Sequence, residues 1–129
     1  MIKQFSIGCL LTLFTLIILP SSAQTSNRMY RIAKIKVDAN QLDKYTSALQ
    51  EQMTTAIKLE PGVLSYTAVA DKKDATSITI LEVYASLESY QSHIVTPHFK
   101  KYKETVKDMV LSLELMDTNL ICSAKKEDF

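Results

Sequence analysis

The chain has 129 residues, with 15 Lys and Arg against 14 Asp and Glu, two histidines and no tryptophan. A formal charge of +1 argues against a nucleic-acid binder, which needs a basic face. With only two glycines, Gly8 and Gly62, Gly-rich phosphate and dinucleotide cradles are excluded.

Met1-Ile2-Lys3 gives a short positive start, and Phe5 to Leu19 is an almost unbroken apolar run. Ser21 and Ala23 then place small residues at the −3 and −1 positions of a cleavage site before Gln24. That layout predicts a secretory signal peptide over residues 1–23 and an exported protein, periplasmic or secreted. The run falls short of the roughly 20 residues that span a bilayer, so no stable membrane insertion is expected once it is removed. A retained N-terminal anchor is the alternative. Cys9 sits at the start of the apolar run rather than after it, so lipidation is not expected. Cleavage leaves residues 24–129 as one domain, with its core over 29–121, and Lys3 is the only charged side chain lost. Cys122 is then the sole cysteine, with no partner for a disulfide and no basic or histidine neighbour to activate it.

Met29 to Val37 alternates Ala33, Ile35 and Val37 with Tyr30, Ile32, Lys34 and Lys36, which reads as a strand. Asp38-Ala39-Asn40 breaks it and offers a cap. Leu42, Tyr45, Leu49, Met53 and Ile57 recur at helical spacing and predict an amphipathic helix from Gln41 to Leu59. Glu60-Pro61-Gly62 stops it, and Val63 to Ala70 and Ser77 to Tyr84 read as strands joined by the polar turn Asp71-Lys72-Lys73-Asp74. A short helix begins at Ser86 and is interrupted or restarted at Pro97. Phe99, Tyr102, Val106, Met109 and Val110 predict a longer helix ending near Leu111, and Leu113 to Ile121 a fourth strand. The order β-α-β-β-α-β is an α+β, ferredoxin-like arrangement with both helices on one face of an antiparallel sheet. The third strand is apolar on both sides, Ile78 and Ile80 against Leu81 and Val83. A bare apolar sheet face is rarely tolerated in a monomer, which predicts a homodimer packed sheet against sheet.

Glu82 and Tyr84 share the strand face of Ile78 and Ile80 and look toward the helices. A buried carboxylate and phenol each need a partner there. His93 and His98, five apart around Pro97, are the side chains able to move a proton near neutral pH and are the candidate catalytic residues. His93 closes the short helix, which predicts its charged form, and His98 opens the long one, which predicts its neutral form. No metal is expected. The spacing is not the i, i+4 pattern that puts two imidazoles on one helix face, and neither Cys nor Asp stands nearby in sequence. No Gly-x-Ser-x-Gly elbow is present. Tyr30, Tyr66, Tyr84, Phe99 and Tyr102 can wall a pocket for a flat ring, with Tyr102 at a core position of its helix.

Glu60-Pro61-Gly62 with Tyr66, Glu82-x-Tyr84, His93-Ile-Val-Thr-Pro-His98-Phe99 and the helix that follows resemble, in order and spacing, the antibiotic biosynthesis monooxygenase (ABM) family. The resemblance runs from Met29 to Ile121. It implies a dimeric α/β barrel with a pocket between sheet and helices, and oxidation of a quinol or related aromatic by molecular oxygen without any cofactor. On that reading His93 or His98 is the base, and Tyr66, Tyr84, Glu82 and Phe99 bind the substrate. Many relatives carry tryptophan where Tyr84 stands. Haem-degrading relatives carry histidine where Lys103 stands and asparagine where Ile35 stands, so haem degradation is disfavoured. The alternatives are a non-catalytic dimeric module for a small hydrophobic ligand and, third, an isomerase of a small dione.

Overall fold

The computed structural model describes residues 27–127; the leader expected over residues 1–23 lies outside them. Strand β1 spans Met29–Val37, and its alternation buries Ala33, Ile35 and Val37. Asp38 ends it by accepting a hydrogen bond from the Asn40 N–H at 2.9 Å, which starts a single 3₁₀ turn, Ala39–Gln41. Helix α1, Leu42–Leu59, follows and buries Tyr45, Leu49, Gln52 and Ala56. Those positions track a 3.6-residue repeat. Ile57, expected inside, is 47 % exposed, because Ala56 falls on the buried stripe seven residues after Leu49.

Strands β2, Val63–Ala70, and β3, Ser77–Tyr84, form a hairpin with a bulge between Val63 and Ser65. Ser86 caps helix α2, Leu87–His93, and Thr96 caps helix α3, Pro97–Val106, with proline in the first turn where its missing N–H costs nothing. Helix α3 ends earlier than the periodicity predicts, and β4 covers Val110–Thr118 rather than Leu113 to Ile121. Met109 and Val110 fit a helical stripe, but Leu111, Leu113 and Leu115 alternate with Ser112 and Glu114, and the strand period prevails.

The four strands lie in the order β2-β3-β1-β4, all neighbours antiparallel, with the helices on one face. This is the ferredoxin-like fold. Helices α1 and α3 close a core of Ala33, Ile35, Tyr45, Leu49, Ile78, Ile80 and Val106. Burying each large apolar side chain there contributes about 1.5–3 kcal/mol. The cover stops short of β4. Leu113 and Leu115, opposite Ile35 and Ala33, stay 45 % and 50 % exposed. On the reverse face Leu81 is 41 % exposed.

Candidate active site

The site begins where α1 ends. The Glu60 N–H still bonds to the Ala56 carbonyl at 2.9 Å, while Glu60 itself has turned extended. Pro61 and Gly62 complete the turn, and Ala85 N–H donates to the Gly62 carbonyl at 2.9 Å. A Cβ on Gly62 would lie 2.5 Å from Ser89 Oγ and 2.6 Å from Ser89 Cβ, so glycine is required for α2 to seat against this turn. That seating points His93, the last residue of α2, inward, where it is fully buried.

Around His93 the side chains form one continuous hydrogen-bonded path. Glu82 Oε2 lies 2.8 Å from Tyr84 Oη, which lies 2.7 Å from Tyr66 Oη. Tyr66 Oη is 2.9 Å from His93 Nε2, and His93 Nδ1 is 2.8 Å from Glu60 Oε2. The same Glu60 oxygen is 2.7 Å from His98 Nε2. Gln52, a buried amide on α1, adds a contact to His93 Nε2 at 3.1 Å. Phe99 packs edge-on against the His93 ring at 4.7 Å.

One end of this path opens into a cavity of about 100 Å³ between sheet and helices. Glu82, Tyr84, Tyr66 and Phe99 line it, with Ala33, Ile35, Ile80, Leu113 and Leu115 as apolar wall and Arg31, Tyr90 and Lys103 at the polar side. Arg31 is held by Asp117 at 2.7 Å and sits 4.2 Å over the Tyr90 ring. The other end, His98, lines a second cleft between α1 and α3 with Glu51, Thr55 and Lys101. The histidines therefore stand behind the cavity wall, and His93 reaches the cavity through Tyr66.

Burial sets the electrostatics. It pushes the Glu82 carboxyl above its ordinary range, against the Tyr84 hydrogen bond and the Arg31 charge. Burial also lowers His93, although Glu60 opposes it, so the expectation of a charged His93 from its helix-end position is reversed. Tyr66 and Tyr84 are both held far above the usual phenol range, first by burial and then by the Glu82 charge.

Glu60, His93 and His98 also bring one potential ligand atom each within 4.8 Å of the others, the one such group among the described residues. The third group, which neither Cys nor Asp near the histidines supplies, is thus a glutamate from the end of α1, Glu60. Both ring nitrogens converge on a single oxygen at 2.7 and 2.8 Å. Ligands about 2.0–2.1 Å from a tetrahedral ion lie roughly 3.3 Å apart. The geometry is that of two N–H donors on one acceptor.

All six residues expected at the site, His93, His98, Tyr66, Tyr84, Glu82 and Phe99, are brought together. Glu60, Gln52 and Arg31 were not anticipated as functional. Tyr102, expected in the core, packs there, bonds to Tyr45 at 2.9 Å and also lines the cavity. Lys103 and Ile35 line it too.

The fold and site together define a small ferredoxin-like α+β protein with an aromatic-walled cavity wired to a buried histidine. Residues 28–105 match the antibiotic biosynthesis monooxygenase family, and the chain belongs to that family. It is 46 % identical to a provisionally assigned antibiotic biosynthesis monooxygenase from Bacteroides thetaiotaomicron, covering 78 % of this chain and 95 % of that one with a TM-score of 0.74. It is 30 % identical to a provisionally assigned monooxygenase from Lactobacillus acidophilus, covering 71 % of this chain but 44 % of that one, with a TM-score of 0.70. A Nitrosomonas europaea structure of the same provisional assignment, 18 % identical over 74 % of this chain and 92 % of that one at a TM-score of 0.70, shares the fold. No curated protein matches the chain.

Proposed function

We propose that the protein is a cofactor-independent monooxygenase that oxidises a small quinol or related phenol with molecular oxygen. The observation that carries this reading is the hydrogen bond from Tyr66, at the cavity wall, to His93 Nε2, backed by Glu60 on the opposite ring nitrogen. Glu60 holds the proton on Nδ1 and leaves Nε2 as the acceptor.

A phenol bound against Tyr66 gives its O–H proton to Tyr66 Oη as the Tyr66 proton passes to His93 Nε2. The resulting aryloxide is electron-rich enough to reduce oxygen by one electron, and recombination of the two radicals forms a carbon–oxygen bond. One oxygen atom enters the product and the other leaves as water. The apolar wall excludes bulk water from the anion, which strengthens the hydrogen bond from Tyr66 to it. Arg31 and Lys103 add positive charge at the cavity where the oxyanion and reduced oxygen develop.

The competing reading, a dimeric binding module for a small hydrophobic ligand, draws support from the largely apolar wall and the absence of a histidine from it. Oxygen uptake with a panel of hydroquinones separates the two: acceleration by the protein supports oxidation, and ring binding without uptake supports the module. Homodimerisation through the reverse face of the sheet, where Leu81 is exposed, is part of the proposal. So is export, which rests on the leader-like residues 1–23.

A further inference from the structure

From Glu82 through Tyr84, Tyr66 and His93 to Glu60 there are four hydrogen-bonded gaps, and each is closed by one proton. Tyr84 and Tyr66 supply one proton each, since burial keeps both phenols neutral. Glu60 Oε2 faces His98 Nε2 as well as His93 Nδ1, so it is the acceptor end and supplies none. Two protons are still required. Either His93 supplies both, as an imidazolium with Glu82 ionised, or His93 supplies its Nδ1–H and Glu82 its carboxyl proton. The two arrangements hold the same number of protons. They differ only in which way the three bonds between Glu82 and His93 point.

We propose that Glu82 and His93 are the acid and base ends of one relay, sharing a single transferable proton that passes between them through Tyr84 and Tyr66. The relay rests on the oxidative reading of the site for its purpose, while its proton count rests on the hydrogen bonds alone.

The groups facing each end are known. His93 meets Glu60 and Gln52 from α1 and its turn, Tyr66 from β2, Tyr84 from β3, and His98 and Phe99 from α3. Glu82 meets Tyr84 on its own strand, with Tyr66 on β2 and Arg31 on β1 as its cross-strand neighbours. From the helices, Tyr90 of α2 and Tyr102 and Lys103 of α3 line the same cavity, and Tyr45 of α1 is hydrogen-bonded to Tyr102. The Gln52 amide nitrogen, 3.1 Å from His93 Nε2, can only donate and so faces a bare ring nitrogen, which is the arrangement with His93 neutral and the proton on Glu82. Burial, which lowers His93 and raises Glu82, acts in the same direction.

Monooxygenation needs a base and then an acid, and the relay provides both. The substrate O–H bond breaks, and its proton enters at Tyr66 as the Tyr66 proton moves to His93 Nε2. The aryloxide and oxygen combine to a carbon-bound peroxide anion. Glu82 protonates that anion, and the hydroperoxide loses water by cleavage of its O–O bond and the adjacent C–H bond. Glu82 is then a carboxylate and His93 an imidazolium. Reversal of the three hydrogen bonds returns the proton to Glu82, and the balance is one phenol and one oxygen molecule to one quinone and one water.

The test is a proton count on the full protein without substrate. Infrared difference spectra report the Glu82 acid, assigned by loss of its C=O band in Glu82→Gln. Imidazole ¹⁵N shifts report His93, assigned by comparison with His93→Gln. Near neutral pH the two groups should hold one transferable proton between them, with the Glu82 acid band present and His93 neutral. Cutting the path in Tyr84→Phe, or in Tyr66→Phe should either variant fold poorly, should move at least one titration by about one pH unit or more. An ionised Glu82 beside a neutral His93, both groups protonated together, or unmoved titrations in both variants would overturn the relay. Because no turnover is read, a protein that oxidises no hydroquinone and still shows the shared proton refutes the oxidative reading alone.

Discussion

The Glu60 carboxylate lies 2.8 Å from the imidazole of His93, thirty-three positions along the chain, and fixes which of its nitrogens faces the cavity side. An acid at a helix C-terminus opposes the helix dipole, so its presence at the end of α1 has to be compensated by what it binds. Two histidines do so.

Glu60→Gln keeps the volume but removes the charge that holds the Nδ1 proton. Turnover should fall about 10²-fold, in the range expected for a general base that loses its orienting partner. Loss of hydrogen bonds to a charged group should cost about 1.5–3 kcal/mol in denaturant unfolding. Steady-state oxygen uptake and urea melts read the two effects separately.

Gly62→Ala tests how the turn places His93. The new methyl would fall 2.6 Å from Ser89 Cβ and must push α2 away. An overpacking cost of about 1–3 kcal/mol is expected, along with altered His93 ring shifts. Ser89→Gly removes the two side-chain atoms nearest the new methyl and leaves the Ser89 Cα at 3.5 Å. The double variant should therefore recover most of the lost stability, and a double variant as unstable as Gly62→Ala would place the strain elsewhere.

The buried ends of the path give opposite pH signatures. His93 is lowered from its ordinary 6.5, so the unfolded chain binds the extra proton first, and stability falls as pH drops from that value toward the folded pKa. Glu82 is raised from 4.5, so the folded chain holds its proton longer, and its contribution is lost as pH rises from that value through the folded pKa. Just below 6.5 and just above 4.5 these slopes have opposite signs, so His93→Gln should tilt the curve below 6.5 toward falling stability with rising pH, by at most about 1.4 kcal/mol per pH unit for one proton. Glu82→Gln should tilt it the other way above 4.5. Urea unfolding at stepped pH measures both, and parallel curves for wild type and His93→Gln would contradict the assignment.

Leu81→Asp addresses the reverse face of the sheet. Leu81 is 41 % exposed in the single chain and lies beside Ile32 across the strand pair. Sedimentation should show a dimer for the wild type and a monomer for this variant. A wild type that stays monomeric at high concentration would remove the sheet-to-sheet dimer from the proposal.

Most of the fold was legible because alternation and helical spacing are local signals. Ala33, Ile35 and Val37 marked β1, and Tyr45 and Leu49 marked α1. The errors arose where two periods overlap: Met109 and Val110 fit a helix stripe but belong to the turn and to β4. His93, His98, Glu82 and Tyr84 stood out by rarity or by lying on a face that had to be buried. Glu60 did not, since its partners His93 and His98 are 33 and 38 residues away and only the docking of α2 on the Gly62 turn joins them. Gln52 hid for a related reason: a polar residue on an otherwise apolar stripe reads as a mismatch until its buried partner is known.

Oxygen consumption by purified protein with a series of hydroquinones, for wild type and Tyr66→Phe, tests the central claim most directly. The account predicts that wild type accelerates uptake and that Tyr66→Phe, which keeps the ring and loses only the hydroxyl bridging the cavity to His93, slows it about 10²-fold or more. No acceleration by wild type with any hydroquinone, or an undiminished rate in Tyr66→Phe, would contradict it.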